Sequence, residues 1–303
     1  MKLKFLLLLG LFITSQCVVS CSDDEVIPEP QQPAEPKYHA GDSLACIKMY
    51  EEMNGSTWLS ASIWDYKKIE TWHGVQWSLI EEDGVKNYRV TVLDCTVQDK
   101  PTATLSSQIG KFKYLNSLRL VGKGLFGSYP SFMNDLNLTW LVIGNTSLKG
   151  TLPDNLFNEN TTIVQIINNP GITGPIPSSV TLVKGTENPY RRFEIMENGF
   201  TGKIPAITQA AVYLQSNNFT SIDTECFNGY DKNLRGVYAA NNQIEVTLPD
   251  EILKDTLKLY IATMYVGPQK DGKEGILNLP YSRKKIEENF LKWQENHPGK
   301  VKF

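Results

Sequence analysis

The chain has 303 residues, 41% of them hydrophobic and 21% charged, which is enough apolar material to bury a core and argues against a disordered polymer. Thirty basic and 33 acidic residues give a formal charge of −3, so the surface lacks the basic stripe that a phosphate backbone requires, and nucleic acid is not an expected partner.

Residues 1–20 open with Lys2 and Lys4, continue with the apolar run Phe5 to Ile13 and end in small or branched residues. This pattern predicts a secretory signal, too short to span a bilayer permanently. Its last residues, Val18-Val19-Ser20-Cys21, resemble the relaxed lipobox of bacterial lipoproteins. The resemblance implies cleavage before Cys21, acylation of its thiol and a lipid anchor in the outer membrane. Residues 21–37 carry Ser22, Asp23, Asp24 and Glu25, then Pro, Glu and Gln, and have too few apolar side chains to offset the entropy of ordering. An extended tether is expected, reaching on the order of 50 Å at about 3.1 Å per residue. The acidic run is similar to the surface-export signal of lipoproteins in anaerobic Gram-negative gut bacteria, which implies an extracellular-facing body; solvation of a linker explains the same residues without export. Beyond Cys17 and Cys21, the cysteines are Cys46, Cys95 and Cys226. An odd number among apolar neighbours predicts buried thiols and no disulfide framework, with a Cys46 to Cys95 pair left open.

Residues 38–89 form a candidate N-terminal cap. Asp42-Ser43-Leu44-Ala45 opens a helix, and Asn54-Gly55-Ser56-Thr57-Trp58, Trp64 and Trp72-His73-Gly74-Val75 follow. From residue 90 to 265 the chain repeats itself. A glycine, a variable residue, an aliphatic or tyrosine and a proline recur as Gly127-Ser128-Tyr129-Pro130, Gly150-Thr151-Leu152-Pro153, Gly174-Pro175-Ile176-Pro177 and Gly202-Lys203-Ile204-Pro205, with Val246-Thr247-Leu248-Pro249 as a degraded copy. The first four prolines are 23, 24 and 28 residues apart. Upstream of each lies an apolar set: Leu115, Leu118, Leu120 and Leu125; Leu138, Leu141, Ile143 and Leu148; Val164, Ile166 and Ile172; Tyr190, Phe193, Ile195 and Phe200; then Val212, Leu214 and Phe219, and Leu234, Val237 and Ile244.

Two apolar residues two positions apart point to the same side of a short strand. Asn169, Asn198, Asn217 and Asn242 come next, where an amide can pair backbone groups as the chain turns. Glycine then permits a tight bend and proline stiffens the return. One such unit cannot bury its own apolar edge, so successive units must stack on a shared core. The repeat resembles the plant-type leucine-rich repeat over roughly residues 42 to 265. That resemblance implies a β-rich α/β fold, a right-handed solenoid with a concave parallel β-sheet and helical caps at both ends. The cap segment is similar to the family's, which commonly brackets its Trp-x-Gly-Val motif with two cysteines. Here Glu70 and Trp77 stand in those places, so the cap must hold by packing.

In residues 266–303, the C-terminal cap, Ile286, Phe290 and Trp293 recur at helical spacing, with Ser282 as N-cap and Pro298-Gly299 as stop. Arg283, Lys284 and Lys285 in the first turn oppose the helix dipole, a signal that competes with Ser282 as the N-cap.

Little points to catalysis. The histidines are His39, His73 and His297, and the chain has no Gly-rich phosphate loop, metal-spaced His or Cys cluster or nucleophile elbow, so neither an enzyme nor a cofactor is expected. The informative residues lie between the core positions of each strand. Their central column reads Asp94, Arg119, Val142, Gln165, Glu194, Tyr213, Tyr238 and, at its end, Ile261. The column before it holds Ser117, Trp140, Ile163, Arg192, Ala211 and Gly236, and the column after it Ile167, Met196 and Gln215. We take Arg119, Trp140, Val142, Ile163, Gln165, Arg192, Glu194, Met196, Tyr213 and Tyr238 as candidate ligand contacts, because exposed aromatic and aliphatic side chains rimmed by charge mark interaction surfaces. Strand propensity alone is the competing explanation. A shallow face suits a protein, a peptide or an extended glycan better than a metabolite. The expected protein is a monomeric, lipid-anchored recognition module; the alternative is a structural subunit of an outer-membrane complex without a separate ligand, with a hydrolase a distant third.

Overall fold

The computed structural model describes residues 35–59, 64–100, 103–182, 192–208, 211–228 and 236–301. Cys21 and the proposed signal lie outside them, as do Tyr190 and Leu234. Contacts divide the chain into Met1–Glu35 and Pro36–Phe303, and the architecture below belongs to the second unit.

In chain order the elements are β1 (Lys37–Tyr38), α1 (Ala40–Glu52), β2 (Val75–Glu82), β3 (Val85–Thr96), β4 (Ser117–Val121), β5 (Phe126–Ser128), β6 (Trp140–Gly144), β7 (Ser147–Thr151), β8 (Ile163–Gly174), β9 (Arg192–Ile204), β10 (Val212–Tyr213), β11 (Asn218–Ile222), β12 (Val237–Tyr238), β13 (Glu245–Val246), α2 (Asp250–Leu253), α3 (Thr256–Val266), β14 (Gly275–Ile276) and α4 (Arg283–Glu295). The main sheet runs β1-β3-β4-β6-β8-β9-β10-β12, and every neighbouring pair on this path is parallel. Short 3-10 turns at Ser107–Lys111, Ser131–Asp135, Ser178–Leu182 and Thr224–Phe227 connect the strands. Among the described residues no helix is long and apolar enough to cross a membrane.

The register follows the repeat. Leu118, Leu141, Val164 and Phe193 pair in turn, as do Leu120, Ile143, Ile166 and Ile195, and all eight are buried. Stacked units therefore share one core. After each strand the buried asparagines tie neighbouring repeats together. Asn169 donates through Nδ2 to Ile143 O at 3.0 Å, Asn198 to Ile166 O at 2.6 Å, Asn217 to Ile195 O at 2.9 Å and Asn242 to Leu214 O at 3.0 Å. In return, the backbone N–H of Asn169 donates to Asn198 Oδ1, and that of Asn198 to Asn217 Oδ1. Each amide thus satisfies donors and acceptors that would otherwise be buried unpaired.

The segment expected as an N-terminal cap packs through its aromatic rings. Trp64 stacks between Tyr50, at 4.3 Å, and Trp72, at 4.8 Å and 5°, while Trp58 meets both Tyr50 and Trp64 edge-on. Cys46, Cys95 and Cys226 are free and buried. An ion pair not anticipated from sequence fastens α1 to the sheet: Arg89 donates to both oxygens of buried Asp42, each at 3.0 Å, and the Val90 amide donates to Asp42 Oδ2. Asp42 holds the Arg89 pKa above its usual value. Such bidentate geometry offsets the cost of removing both charges from water.

At the other end α4 begins after Ser282, whose hydroxyl accepts from Lys285 N as expected of an N-cap. Arg283 has a purpose in this turn despite the dipole. It donates to Thr263 O at 2.7 Å and Gly267 O at 3.0 Å, so its cation serves the C-terminal carbonyls of α3. Ile261, expected at the end of the strand column, is instead buried in α3. Asp255 explains the difference by accepting from the amides of Leu257 and Lys258, which starts a helix where apolar content alone suggested another strand.

Candidate functional site

The sheet brings the predicted columns together. Asp94, Arg119, Val142, Gln165, Glu194, Tyr213 and Tyr238 follow one another in register, and Ser117, Trp140, Ile163 and Arg192 form the adjoining row. Ile167 stands opposite Met196 in the third row. Alternation along each strand turns the described side chains of these rows, Arg192 apart, away from the core and onto the concave face.

Their environments differ. Trp140 is 45% exposed and Tyr213 37%. Val142 is only 6% exposed, contrary to its expected role as an open contact: a short branched residue between Arg119 and Gln165 is covered by longer neighbours. Ile163, Gln165, Glu194, Met196 and Tyr238 are half-buried. Gln165 donates to Glu194 Oε2 at 2.7 Å, which ties the middle of the face together.

At its N-terminal side the face holds a cleft of about 500 Å³ lined by Leu59, Val92, Asp94, Thr96, Ser117, Arg119, Trp140 and Val142. Thr96 donates to Asp94 Oδ1 at 2.6 Å, and Arg119 Nε lies 3.5 Å from Asp94 Oδ2 and 3.4 Å from Thr96 Oγ1. Among the described residues neither the terminal nitrogens of Arg119 nor the Ser117 hydroxyl has a hydrogen-bond partner. Sequence reasoning missed Leu59, which belongs to the cap; Trp58 bridges to Val97, and the Leu59 amide donates to Thr96 O at 2.7 Å. No local pattern signals this, since the contact joins the cap to the first repeats.

At the other side Tyr213 and Tyr238 stack at 4.8 Å and 8°. Tyr238 also meets the fully buried Tyr265 of α3 edge-on at 4.9 Å. Gly236 makes room for that ring, because a Cβ there would lie 2.1 Å from it. Burial, then Tyr213, raises the Tyr238 pKa. A second cleft of about 580 Å³ lies beside α4, floored by Leu259 and Ile286; it is the packing seam of the cap helices and holds none of the candidate residues.

This structure is a leucine-rich-repeat solenoid. No family model and no curated protein matches the chain. Among solved structures it is similar to a plant ice-binding protein, with a TM-score of 0.51 and 18% identity over 73% of this chain and 67% of that one. The leucine-rich-repeat ectodomain of the receptor kinase SOBIR1 from Arabidopsis thaliana gives a TM-score of 0.46 and 16% identity over 61% of this chain and 98% of that one. The ectodomain of the plant membrane receptor kinase GASSHO1/SCHENGEN3 from Arabidopsis thaliana, in complex with Casparian strip integrity factor 2, gives 0.45 and 20% over 69% and 28%. At such identities the first likeness speaks to fold alone, and the other two carry no argument.

The chemistry available to this solenoid is sparse. Among the described residues no group of three or more His, Cys, Asp or Glu could hold a metal ion. Burial raises the pKa of all three thiols, Cys226 to about 12, which keeps them protonated and unreactive. His39 caps α1 and His297 stacks on Trp293, so both serve structure.

Proposed function

We propose that the protein is a recognition module whose concave face binds a protein, a peptide or an extended glycan. One observation carries this reading: Trp140, a large apolar side chain left 45% exposed, lines a cleft beside Arg119, whose terminal nitrogens have no hydrogen-bond partner among the described residues. Exposing an indole forgoes burial energy, and aromatic and arginine side chains supply most of the affinity in interfaces. The lipobox resemblance supports acylation of Cys21, and with the acidic tether it supports anchoring to the outer membrane with the body outside the cell; we propose a monomer. We propose no catalysis.

Two experiments test this. Purified protein is exposed to arrays of glycans and of proteins, and variants are titrated against what is retained. Trp140→Ala should weaken retention by about 1 kcal/mol or more, Tyr213→Ala should weaken it by less, and Lys149→Ala on the opposite side should leave it unchanged. Equal retention by all three would remove the concave face from consideration. Fractionation tests the anchor: Cys21→Ala should leave the membrane fraction, and a variant that stays there refutes acylation.

A further inference from the structure

The cleft beside Trp140 has a chemistry more specific than that of the face as a whole. Resting on the concave face as the binding surface, we propose that this cleft takes a pyranose residue of a neutral glycan. Its walls divide into two kinds. Leu59, Val92, Val142 and the indole of Trp140 are apolar, and among the described residues no aromatic ring packs on Trp140. Against them stand Asp94, Thr96, Ser117 and Arg119.

Charge decides against an anion. Arg119 lies 3.5 Å from Asp94, so the pair presents no net charge, and a carboxylate or phosphate would have to compete with Asp94 for the guanidinium. An apolar peptide side chain fits no better. It would strip water from Arg119 and Ser117 and return no hydrogen bonds, which penalises binding. A pyranose answers both halves of the cleft. Its C–H face lies against an indole as other apolar groups do, while its hydroxyls both donate and accept. They can accept from the Arg119 terminal nitrogens and exchange hydrogen bonds with Ser117, neither of which has a hydrogen-bond partner among the described residues. The cleft volume of about 500 Å³ falls in the usual range of ligand sites.

The concave face continues beyond the cleft. From β6, which carries Trp140, to β10, which carries Tyr213, the sheet advances through β8 and β9. Three strand spacings are about 14 Å, so a glycan seated at Trp140 can extend past the polar Gln165 and Glu194 to Tyr213. That geometry favours a chain over a monosaccharide.

The test is native affinity electrophoresis of the purified full chain through gels containing galactomannan, xyloglucan, laminarin, yeast mannan, polygalacturonate or casein. Retardation by at least one neutral polysaccharide is expected, equal at about 50 and about 500 mM salt because no net charge is involved. Trp140→Ala and Arg119→Ala should each weaken it at least tenfold with unchanged melting curves, Trp140→Phe should restore part of it, and Tyr213→Ala should weaken it less. Retardation by polygalacturonate or casein alone, lost in Trp140→Ala, overturns the sugar assignment while the concave face stands. Neutral-glycan retardation that survives both Trp140→Ala and Arg119→Ala overturns the cleft and, if Tyr213→Ala is also silent, the concave face with it. Retardation by none of the six overturns the proposal.

Discussion

The two sides of the concave face use aromatic residues for opposite purposes. On the C-terminal side Tyr213 lies on Tyr238, and Tyr238 meets Tyr265, so the rings bury much of their area against one another and anchor α3 to the last strands. On the N-terminal side no ring among the described residues packs on Trp140, and its neighbours leave a cleft. Sequence alone gives both sides the same status: aromatic side chains pointing outward from β-strands. The structure separates them by what each ring already touches. An aromatic residue in a surface column therefore signals a ligand only when the protein supplies no partner for it, because a satisfied ring contributes to stability.

Stability measurements can break this comparison. Tyr265→Ala should have the largest effect, about 3–5 kcal/mol, since a fully buried ring is lost together with the seat of Tyr238. A loss under about 1 kcal/mol in urea denaturation would mean that the C-terminal side is not held by this stack. Between the two sides lies Glu197, whose φ of 59° is left-handed, a conformation that Asn145, Asn168 and Asn241 adopt in other repeats. Glu197→Asn should raise stability by about 1 kcal/mol, because asparagine tolerates that conformation better. An unchanged or lowered midpoint would show that Glu197 has compensating contacts. Arg119→Ala should have the smallest effect, within about 0.5 kcal/mol, because its pair with Asp94 is exposed to solvent. A larger loss would make Arg119 structural and remove the reason to regard it as available to a ligand.

Much of this was legible in the sequence wherever the information is local or periodic. The spacing of Leu118 and Leu120, repeated at Leu141 and Ile143, fixes which side chains face inward, and the register then places Trp140 and Tyr213 on the opposite face. The asparagines were legible because their role requires one amide per turn. What escaped was non-local. Asp42 and Arg89 are 47 residues apart and meet only because α1 packs against β3. Leu59 reaches the cleft through the cap, and nothing in its neighbourhood marks it. Ile261 misled because an apolar run suits helix and strand alike, and the deciding signal was the capping Asp255. Arg283, unfavourable within its own helix, made sense only once α3 ended beside it.

The division of labour along the face is tested most directly by measuring Trp140→Ala and Tyr238→Ala side by side, for retention of the ligand that the wild type captures on an array, with urea stability recorded on the same samples. The two variants should separate. Trp140→Ala should lose at least tenfold in retention and about 1 kcal/mol or less in stability, whereas Tyr238→Ala should keep retention within about threefold and lose about 2 kcal/mol through its two ring contacts. Equal loss of retention in both variants, or a wild type that captures nothing, would contradict the account.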